Sequence, residues 1–198
     1  LVRKVTFTGS TPVGKQLIAE CAQTVKRTSM ELGGNAPFIV FDDADIDAAV
    51  QGAMASKYRN AGQTCVCSNR IIVQSKIFNE FTAKFIAAAR QLKVGDGSQP
   101  GVTVGPLIDV SAANGVCEMI DDAVAKGAHV ALGGGRSALG GSYVEPTILT
   151  DVSKDMRVFR EEIFGPVAPI FRFDSEAEVI AMANDTEFGL AAYFYSRD

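Results

Sequence analysis

Apolar and polar positions along the chain switch repeatedly between strand-like and helix-like spacing. Lys4-Val5-Thr6-Phe7-Thr8 reads as a strand, and Val13, Leu17, Ile18, Cys21 and Val25 recur on one side of a helix predicted from Pro12 to Lys26. Pro37-Phe38-Ile39-Val40-Phe41, bounded by a proline and an aspartate pair, predicts a buried strand. Asp45 opens a helix carrying Ile46, Ala49, Val50, Ala53 and Met54. Arg70 to Gln74 is a strand, and Phe78, Phe81, Phe85 and Leu92 stripe the helix after it. Val94 to Ile108, punctuated by glycine and proline, predicts a long surface loop. Then come a helix marked by Val116, Ile120 and Val124 and ended by Gly127, a strand from His129 to Leu132, and a turn at Gly133-Gly134-Gly135. Tyr143–Leu149, Val167–Phe173 and Leu190–Tyr195 supply further strands. Between the last two, Ser175 with Glu178 makes a capping box for a helix running to Asn184. This alternation predicts an α/β fold with a largely parallel sheet and flanking helices. No internal repeat or low-complexity segment interrupts it.

Composition narrows the function classes. At 198 residues with 47% hydrophobic, the chain is about one domain and can bury a real core. A net charge of -4 with 21% charged residues suggests neither disorder nor a surface for polyanions such as nucleic acid. No run of about 18 apolar residues is present to form a transmembrane helix, and no signal peptide is expected. Four cysteines are too few for a disulfide scaffold and fit a reducing compartment, so a cytoplasmic setting is expected. The chain opens on Leu1 inside a strand and closes on Asp198 soon after an apolar strand, whereas domains usually begin and end in exposed polar segments. A piece of a longer chain is the expectation.

Three clusters carry candidate chemistry. Thr8-Gly9-Ser10-Thr11-Pro12-Val13-Gly14-Lys15 joins a strand to a helix through a glycine-bearing turn. Such a turn lets backbone approach a ligand, and the helix N-terminus offers free N–H groups to phosphate. Gly9 to Lys15 also matches most of a P-loop, but Gln16 stands where magnesium would require Ser or Thr. Phosphate binding, a P-loop NTPase and a plain structural turn are the alternatives at this point. In Gly62-Gln63-Thr64-Cys65-Val66-Cys67, Cys65 lies on a connection between helix and strand, where reactive groups are commonly presented. Cys21 and Cys117 fall among helical residues and read as small apolar fillers. Scattered cysteines and the single His129, read as a strand-end residue, form no metal cluster, and no metal is expected. The best proton acceptor is Glu31 in Met30-Glu31-Leu32-Gly33-Gly34-Asn35, where desolvation among apolar neighbours would raise its pKa toward that of a general base. Arg160-Glu161-Glu162-Ile163-Phe164-Gly165-Pro166 reads either as a solvated helix end and turn or as a carboxylate and an aromatic ring facing a hydroxyl-bearing ligand.

Together, Phe7-Thr8-Gly9-Ser10 with Gly14, Glu31-Leu32-Gly33-Gly34, Gly62-Gln63-Thr64-Cys65 and Glu161-Glu162-Ile163-Phe164-Gly165-Pro166 resemble the aldehyde dehydrogenase superfamily, in that family's order and over essentially the whole chain. Gly62 to Arg70, Gly105 to Asp109 and Asn184 to Tyr193 are similar to succinate-semialdehyde dehydrogenases in particular. The resemblance implies a catalytic domain of that fold over residues 34–198, preceded in residues 1–33 by the tail of a Rossmann-type cofactor domain. It implies NAD or NADP as cofactor and oxidation of an aldehyde, succinate semialdehyde first, to an acid. Cys65 would be the nucleophile that forms a thiohemiacetal and then a thioester, and its N–H would contribute to the oxyanion hole. Glu31 would activate the hydrolytic water. Gly9 and Ser10, with Gly14 shaping the turn, would meet the pyrophosphate. Leu32 and Gly33 would border the nicotinamide, Glu162 would hold its ribose, and Phe164 would lie beside it.

The resemblance also implies a homo-oligomeric parent, dimer or tetramer, with a small-molecule aldehyde as its partner and no nucleic acid or membrane. The family's oxyanion-hole Asn and its adenosine-ribose Lys would lie upstream of Leu1, so the isolated chain is expected to turn over little, and a catalytically silent domain is the alternative. Cys67, two residues past Cys65, is expected as a redox-regulatory partner, since a Cys65–Cys67 disulfide would close a small, strained and labile ring.

Overall fold

A computed structural model describes residues 2–198. Leu1, placed by the sequence pattern in the first strand, lies outside the described residues. The strand β1 (Lys4–Thr8) runs into α1 (Thr11–Ala22), and β2 (Arg27–Glu31) returns parallel to β1 as a two-stranded sheet. Then follow β3 (Ala36–Val40), α2 (Ile46–Tyr58), β4 (Ser68–Gln74), α3 (Phe78–Ala89), α4 (Val110–Ala125), β5 (His129–Leu132), β6 (Thr147–Thr150), α5 (Arg157–Arg160), β7 (Val167–Phe173), α6 (Glu176–Asn184) and β8 (Tyr193–Tyr195). The main sheet has six strands in the order β5-β6-β7-β4-β3-β8, and every neighbouring pair is parallel except β5 with β6.

Strands buried on both faces read as continuous apolar runs. In β7, Ala168 and Ile170 face one cluster with Phe38, Val40, Ile71, Val73 and the α3 rings Phe78, Phe81 and Phe85. On the other face, Val167 joins the α4 residues Val116 and Ile120, while Phe171 and Phe173 join Val179 and Met182 of α6. Helices therefore cover both faces, as the α/β expectation requires.

Local capping fixes the helix starts. Asp45 Oδ1 accepts from Ala48 N at 3.0 Å and Asp109 Oδ1 from Ala112 N at 2.7 Å. Ser175 Oγ accepts from Glu178 N at 3.3 Å, and the Glu178 carboxylate reaches back to Asp174 N at 2.8 Å.

Several expected elements are corrected. The first helix stops at Ala22 instead of Lys26, because the chain turns through Val25, which has φ 50° and is 91% exposed. The turn leads into β2, whose Arg-Thr-Ser-Met-Glu sequence carries no apolar run to reveal it. The strand expected over Tyr143–Leu149 is confined to Thr147–Thr150: Pro146 has no N–H to donate, and Val144 makes only an isolated bridge to Arg136. The last strand is Tyr193–Tyr195 alone. The predicted surface loop is pinned down, with Val104 and Leu107 buried and Val94 bridged to Val104. Among the described residues no helix is long and apolar enough to cross a membrane.

Candidate active site

Four loops meet at the amino ends of the parallel strands. Leu32–Asn35 leads into β3, Gln63–Cys67 into β4, Glu161–Pro166 into β7, and Thr186–Ala192 into β8. Open parallel sheets usually place ligands at the carboxyl ends. Here the two-stranded sheet supplies carboxyl ends instead: Ser10 follows β1, Glu31 ends β2, and the chain passes from Glu31 through Leu32–Asn35 straight into β3.

The predicted nucleophile sits on a strained turn. Asn60, Ala61 and Gly62 are successive residues in the left-handed region, with φ 52°, 55° and 77°. A side chain on Gly62 would also strike the Gly165 carbonyl, so two loops close on each other there. Gln63 braces the turn. Its Nε2 donates to Asn60 O at 3.2 Å and Pro106 O at 3.4 Å, and its Oε1 accepts from Ile108 N at 2.8 Å. A turn closed by Cys67 N donating to Thr64 O at 3.0 Å then presents Cys65 half-buried. Among the described residues the Cys65 N–H donates to nothing, leaving it available to a developing oxyanion.

Backbone contact ties Cys65 to the loop before β3. A Cβ on Gly34 would overlap the Cys65 carbonyl oxygen, and Gly34 N donates to Glu162 Oε1 at 2.9 Å. A Cβ on Gly33 would lie 2.7 Å from Glu162 Oε2 and 3.2 Å from the Phe188 ring. Gly33, Gly34, Cys65 and Glu162 thus form one cluster. Burial raises the Glu162 pKa, opposed by the Gly34 N–H and the Lys57 charge. Its Oε2 accepts no hydrogen bond among the described residues. Phe164 presents an exposed ring from a left-handed backbone, φ 50°.

The α1 end joins the same region. Gly9 N donates to Glu31 O at 3.0 Å, Gly14 packs on Leu32, and Lys15 pairs with Glu187 at 3.3 Å. Ser10 is the N-cap of α1 but makes no side-chain cap, so the first-turn N–H groups stay open to an anion. Glu31 departs from expectation: it stands exposed at the end of β2, without the desolvation its apolar neighbours suggested. Cys67 is 7% exposed, its thiol donating to Lys57 O at 3.4 Å, and both Cys65 and Cys67 are free thiols. His129 is exposed at the start of β5, Cys21 is buried, and burial pushes the half-buried Cys117 thiol up.

Sequence reasoning missed the scaffold that holds the cluster. Asn69 Nδ2 donates to Asn35 Oδ1 at 2.7 Å and Glu161 O at 2.9 Å, and its Oδ1 accepts from Ile163 N at 3.0 Å. Asn35 Nδ2 donates to Phe159 O at 3.0 Å and Thr186 Oγ1 at 3.2 Å. Buried Arg70 donates to Asn35 O, Met182 O and Ala183 O, and burial brings its pKa down to about 10. Lys57, on the buried face of α2 with Val50 and Ala53, was also missed. The signal was legible in the spacing 50, 53, 57, which puts a lysine where a core residue belongs.

Comparison with known proteins follows the same lines. The family model described as "Aldehyde dehydrogenase family" matches residues 1–198. The chain is 65% identical over its full length to a 3-sulfolactaldehyde dehydrogenase of Pseudomonas putida, spanning 41% of it. It is 60% identical over its full length to a succinate-semialdehyde dehydrogenase [NADP(+)] of Escherichia coli, again spanning 41%. The crystal structure of succinate-semialdehyde dehydrogenase from Burkholderia pseudomallei superposes with a TM-score of 0.98 at 60% identity, covering 100% of this chain and 41% of that one. The chain therefore spans about two fifths of the length of the relatives it matches.

Proposed function

Because the chain belongs to the aldehyde dehydrogenase family, we propose that it carries the catalytic cluster of an NAD(P)-dependent enzyme oxidising a short, anion-bearing aldehyde to its acid, succinate semialdehyde first. The observation that carries this reading is the cluster of Gly33, Gly34, Cys65 and Glu162, built from backbone contact and one short hydrogen bond. Support for an anionic aldehyde comes from the names of the relatives, a sulfolactaldehyde and a succinate-semialdehyde dehydrogenase.

The residues fit the cofactor. A Cβ on Gly9 would meet the Phe7 ring, one on Gly14 the Leu32 side chain and one on Gly33 the Glu162 carboxylate, the α1 amino end is uncapped by Ser10, and Glu162 keeps an oxygen free for a hydroxyl. Gly9, Ser10 and Gly14 would hold the pyrophosphate, Leu32 and Gly33 the nicotinamide, and Glu162 the ribose with Phe164 alongside. When bound, the cofactor accepts the hydride. The Cys65 thiolate attacks the aldehyde carbon to give a thiohemiacetal, with the Cys65 N–H donating to the oxyanion. Loss of hydride leaves a thioester on Cys65. Glu31 takes a proton from water as that water attacks the thioester, and acid and thiol are released. The exposed Glu31 carboxylate suits this role by its access to water.

Residues 1–33 are assigned to the end of the cofactor domain and 34–198 to the catalytic domain, within a homo-oligomeric cytoplasmic parent. The test is the full-length enzyme with succinate semialdehyde and NAD+ or NADP+, followed by the absorbance of the reduced cofactor. Turnover abolished by Cys65→Ala supports the reading, and turnover retained by that variant overturns it.

A further inference from the structure

Glu162 sits in a stretch without regular structure between α5 and β7. The ends of that stretch are fastened by backbone: Glu161 N donates to Arg157 O at 2.8 Å, and Thr147 N to Pro166 O at 2.8 Å. Between them, among the described residues, no backbone-to-backbone hydrogen bond involves Glu161 O, Ile163 N or either backbone group of Glu162. One side chain fills the gap. Asn69 Nδ2 donates to Glu161 O at 2.9 Å, and its Oδ1 accepts from Ile163 N at 3.0 Å. A single carboxamide thus grips the chain just before and just after Glu162, closing a ring that contains the Glu162 Cα and restrains both of its backbone torsions. Asn69 Nδ2 also donates to Asn35 Oδ1 at 2.7 Å. Asn35 follows Gly34, whose N–H donates to Glu162 Oε1 at 2.9 Å. Every partner of this buried amide therefore lies on one of the two loops that meet at Glu162. The neighbouring Glu161 carboxylate is already taken by the Arg157 guanidinium at 2.8 and 2.9 Å. Asn69 itself lies four residues past Cys65 on one segment, so the same short stretch of chain carries the thiol and the grip on Glu162.

We propose that Asn69 is a positioning residue that acts through Glu162: by holding the peptide groups on either side of it, Asn69 keeps the carboxylate on Gly34 N, with Oε2 left to accept hydrogen bonds from the ribose hydroxyls of the dinucleotide. The inference rests on the assignment of Glu162 to the cofactor made above. A glutamate on a loose loop would have to be ordered as ligand arrives, and that cost would be subtracted from binding. With the loop fixed by Asn69 the ordering is completed on folding instead. The residue type follows from the task. The site needs two donors and an acceptor on a short stem, which asparagine supplies, whereas an aspartate has no donor when ionised and a serine hydroxyl has only one.

The experiment measures dissociation constants in the full-length enzyme for two probes, well below the thermal midpoint of each variant. One probe is NAD+ or NADP+, whichever the enzyme turns over. The other is adenosine 5′-diphosphate, carrying a 2′-phosphate for an NADP+ enzyme, which lacks the nicotinamide ribose. The proteins are the parent, Asn69→Ala, Glu162→Ala and the Asn69→Ala/Glu162→Ala double variant. Asn69→Ala is expected to bind the dinucleotide about five- to tenfold more weakly, on the order of one lost hydrogen bond, and the diphosphate as tightly as the parent. In the Glu162→Ala background the same substitution should add no further loss, because the carboxylate it positions is gone. Equal weakening of both probes would mean that Asn69 only supports the fold, and the proposal fails. An additional loss of the same size in the Glu162→Ala background would mean that it acts by another route, which also overturns it. Weak dinucleotide binding by Glu162→Ala with unchanged binding by Asn69→Ala sinks this proposal alone. If Glu162→Ala binds like the parent, the ribose assignment falls and takes the proposal with it. Should Asn69→Ala not fold, Asn69→Ser, whose hydroxyl is too short to hold both sides of Glu162, carries the comparison.

Discussion

A single methyl group at Gly34 tests how the site is assembled. The Cβ of Gly34→Ala would overlap the carbonyl oxygen of Cys65 and lie 3.3 Å from its carbonyl carbon and 3.8 Å from Leu190 Cβ. The obstacle is backbone, so no side chain can rotate away. Reaching ordinary van der Waals separation requires moving one of the two loops by about 1 Å. Overpacking of this kind costs about 1–3 kcal/mol of stability. The same displacement moves Cys65 relative to the Gly34–Glu162 pair, and misplacement by about 1 Å costs on the order of 100-fold in rate, or about 2.7 kcal/mol of barrier. The assay is kcat and kcat/KM of the full-length enzyme with succinate semialdehyde, together with thermal unfolding. Gly115→Ala is the control. Nothing lies near a Cβ at that position inside α4, so it should stabilise by about 0.5–1 kcal/mol and leave the rate alone. If Gly34→Ala keeps kcat within a few-fold of the parent, the contact between the two loops does not set the geometry and the reasoning is refuted.

Other perturbations have equally definite outcomes. Burial raises the Glu162 pKa above its ordinary value, so the folded protein holds this proton more tightly than the unfolded chain, and Glu162 costs stability as pH rises through its folded pKa. Glu162→Gln should therefore raise Tm at pH 8 and do so less at pH 5, while weakening cofactor binding; an equal effect at both pH values would contradict the assigned cause. Arg70 satisfies three backbone carbonyls from a buried position, and Arg70→Met should cost about 3–5 kcal/mol in denaturant unfolding. Arg70→Lys should recover only part, since an ammonium lacks the planar fork. Gln63→Ala removes the hydrogen bonds linking the cysteine turn to Pro106 and Ile108. A loss of about 1–3 kcal/mol and faster proteolysis between residues 94 and 108 are expected, and an unchanged digestion pattern would show that the link is idle.

The main sheet was legible because its strands announce themselves. Ile71-Ile72-Val73 and Val167 to Phe171 are apolar runs that burial on both faces demands. β2 was hidden because Arg27-Thr28-Ser29-Met30-Glu31 is an exposed strand with no apolar period to read. Val25 falls at helical spacing after Cys21, yet its left-handed backbone turns the chain out of the helix before it. At the site, the glycines and Cys65 stood out as motifs, since their chemistry depends on residue type. The Asn35–Asn69 bond and the Arg70 fork join residues 34 to 113 positions apart, and no local pattern encodes which carbonyl a buried side chain will find. Glu31 shows the converse error. Its neighbours along the chain are apolar, yet the strand end on which it sits leaves it exposed.

The central claim is that Cys65 carries the acyl group. The direct measurement is peptide mass spectrometry of the full-length enzyme, acid-quenched during turnover of succinate semialdehyde with its cofactor, in a Glu31→Gln background that slows hydrolysis. A succinyl adduct on the peptide from Gln63 to Arg70, retained in Cys67→Ala and absent in Cys65→Ala, is the result predicted. An adduct that survives Cys65→Ala, or one that disappears with Cys67→Ala alone, would contradict the account.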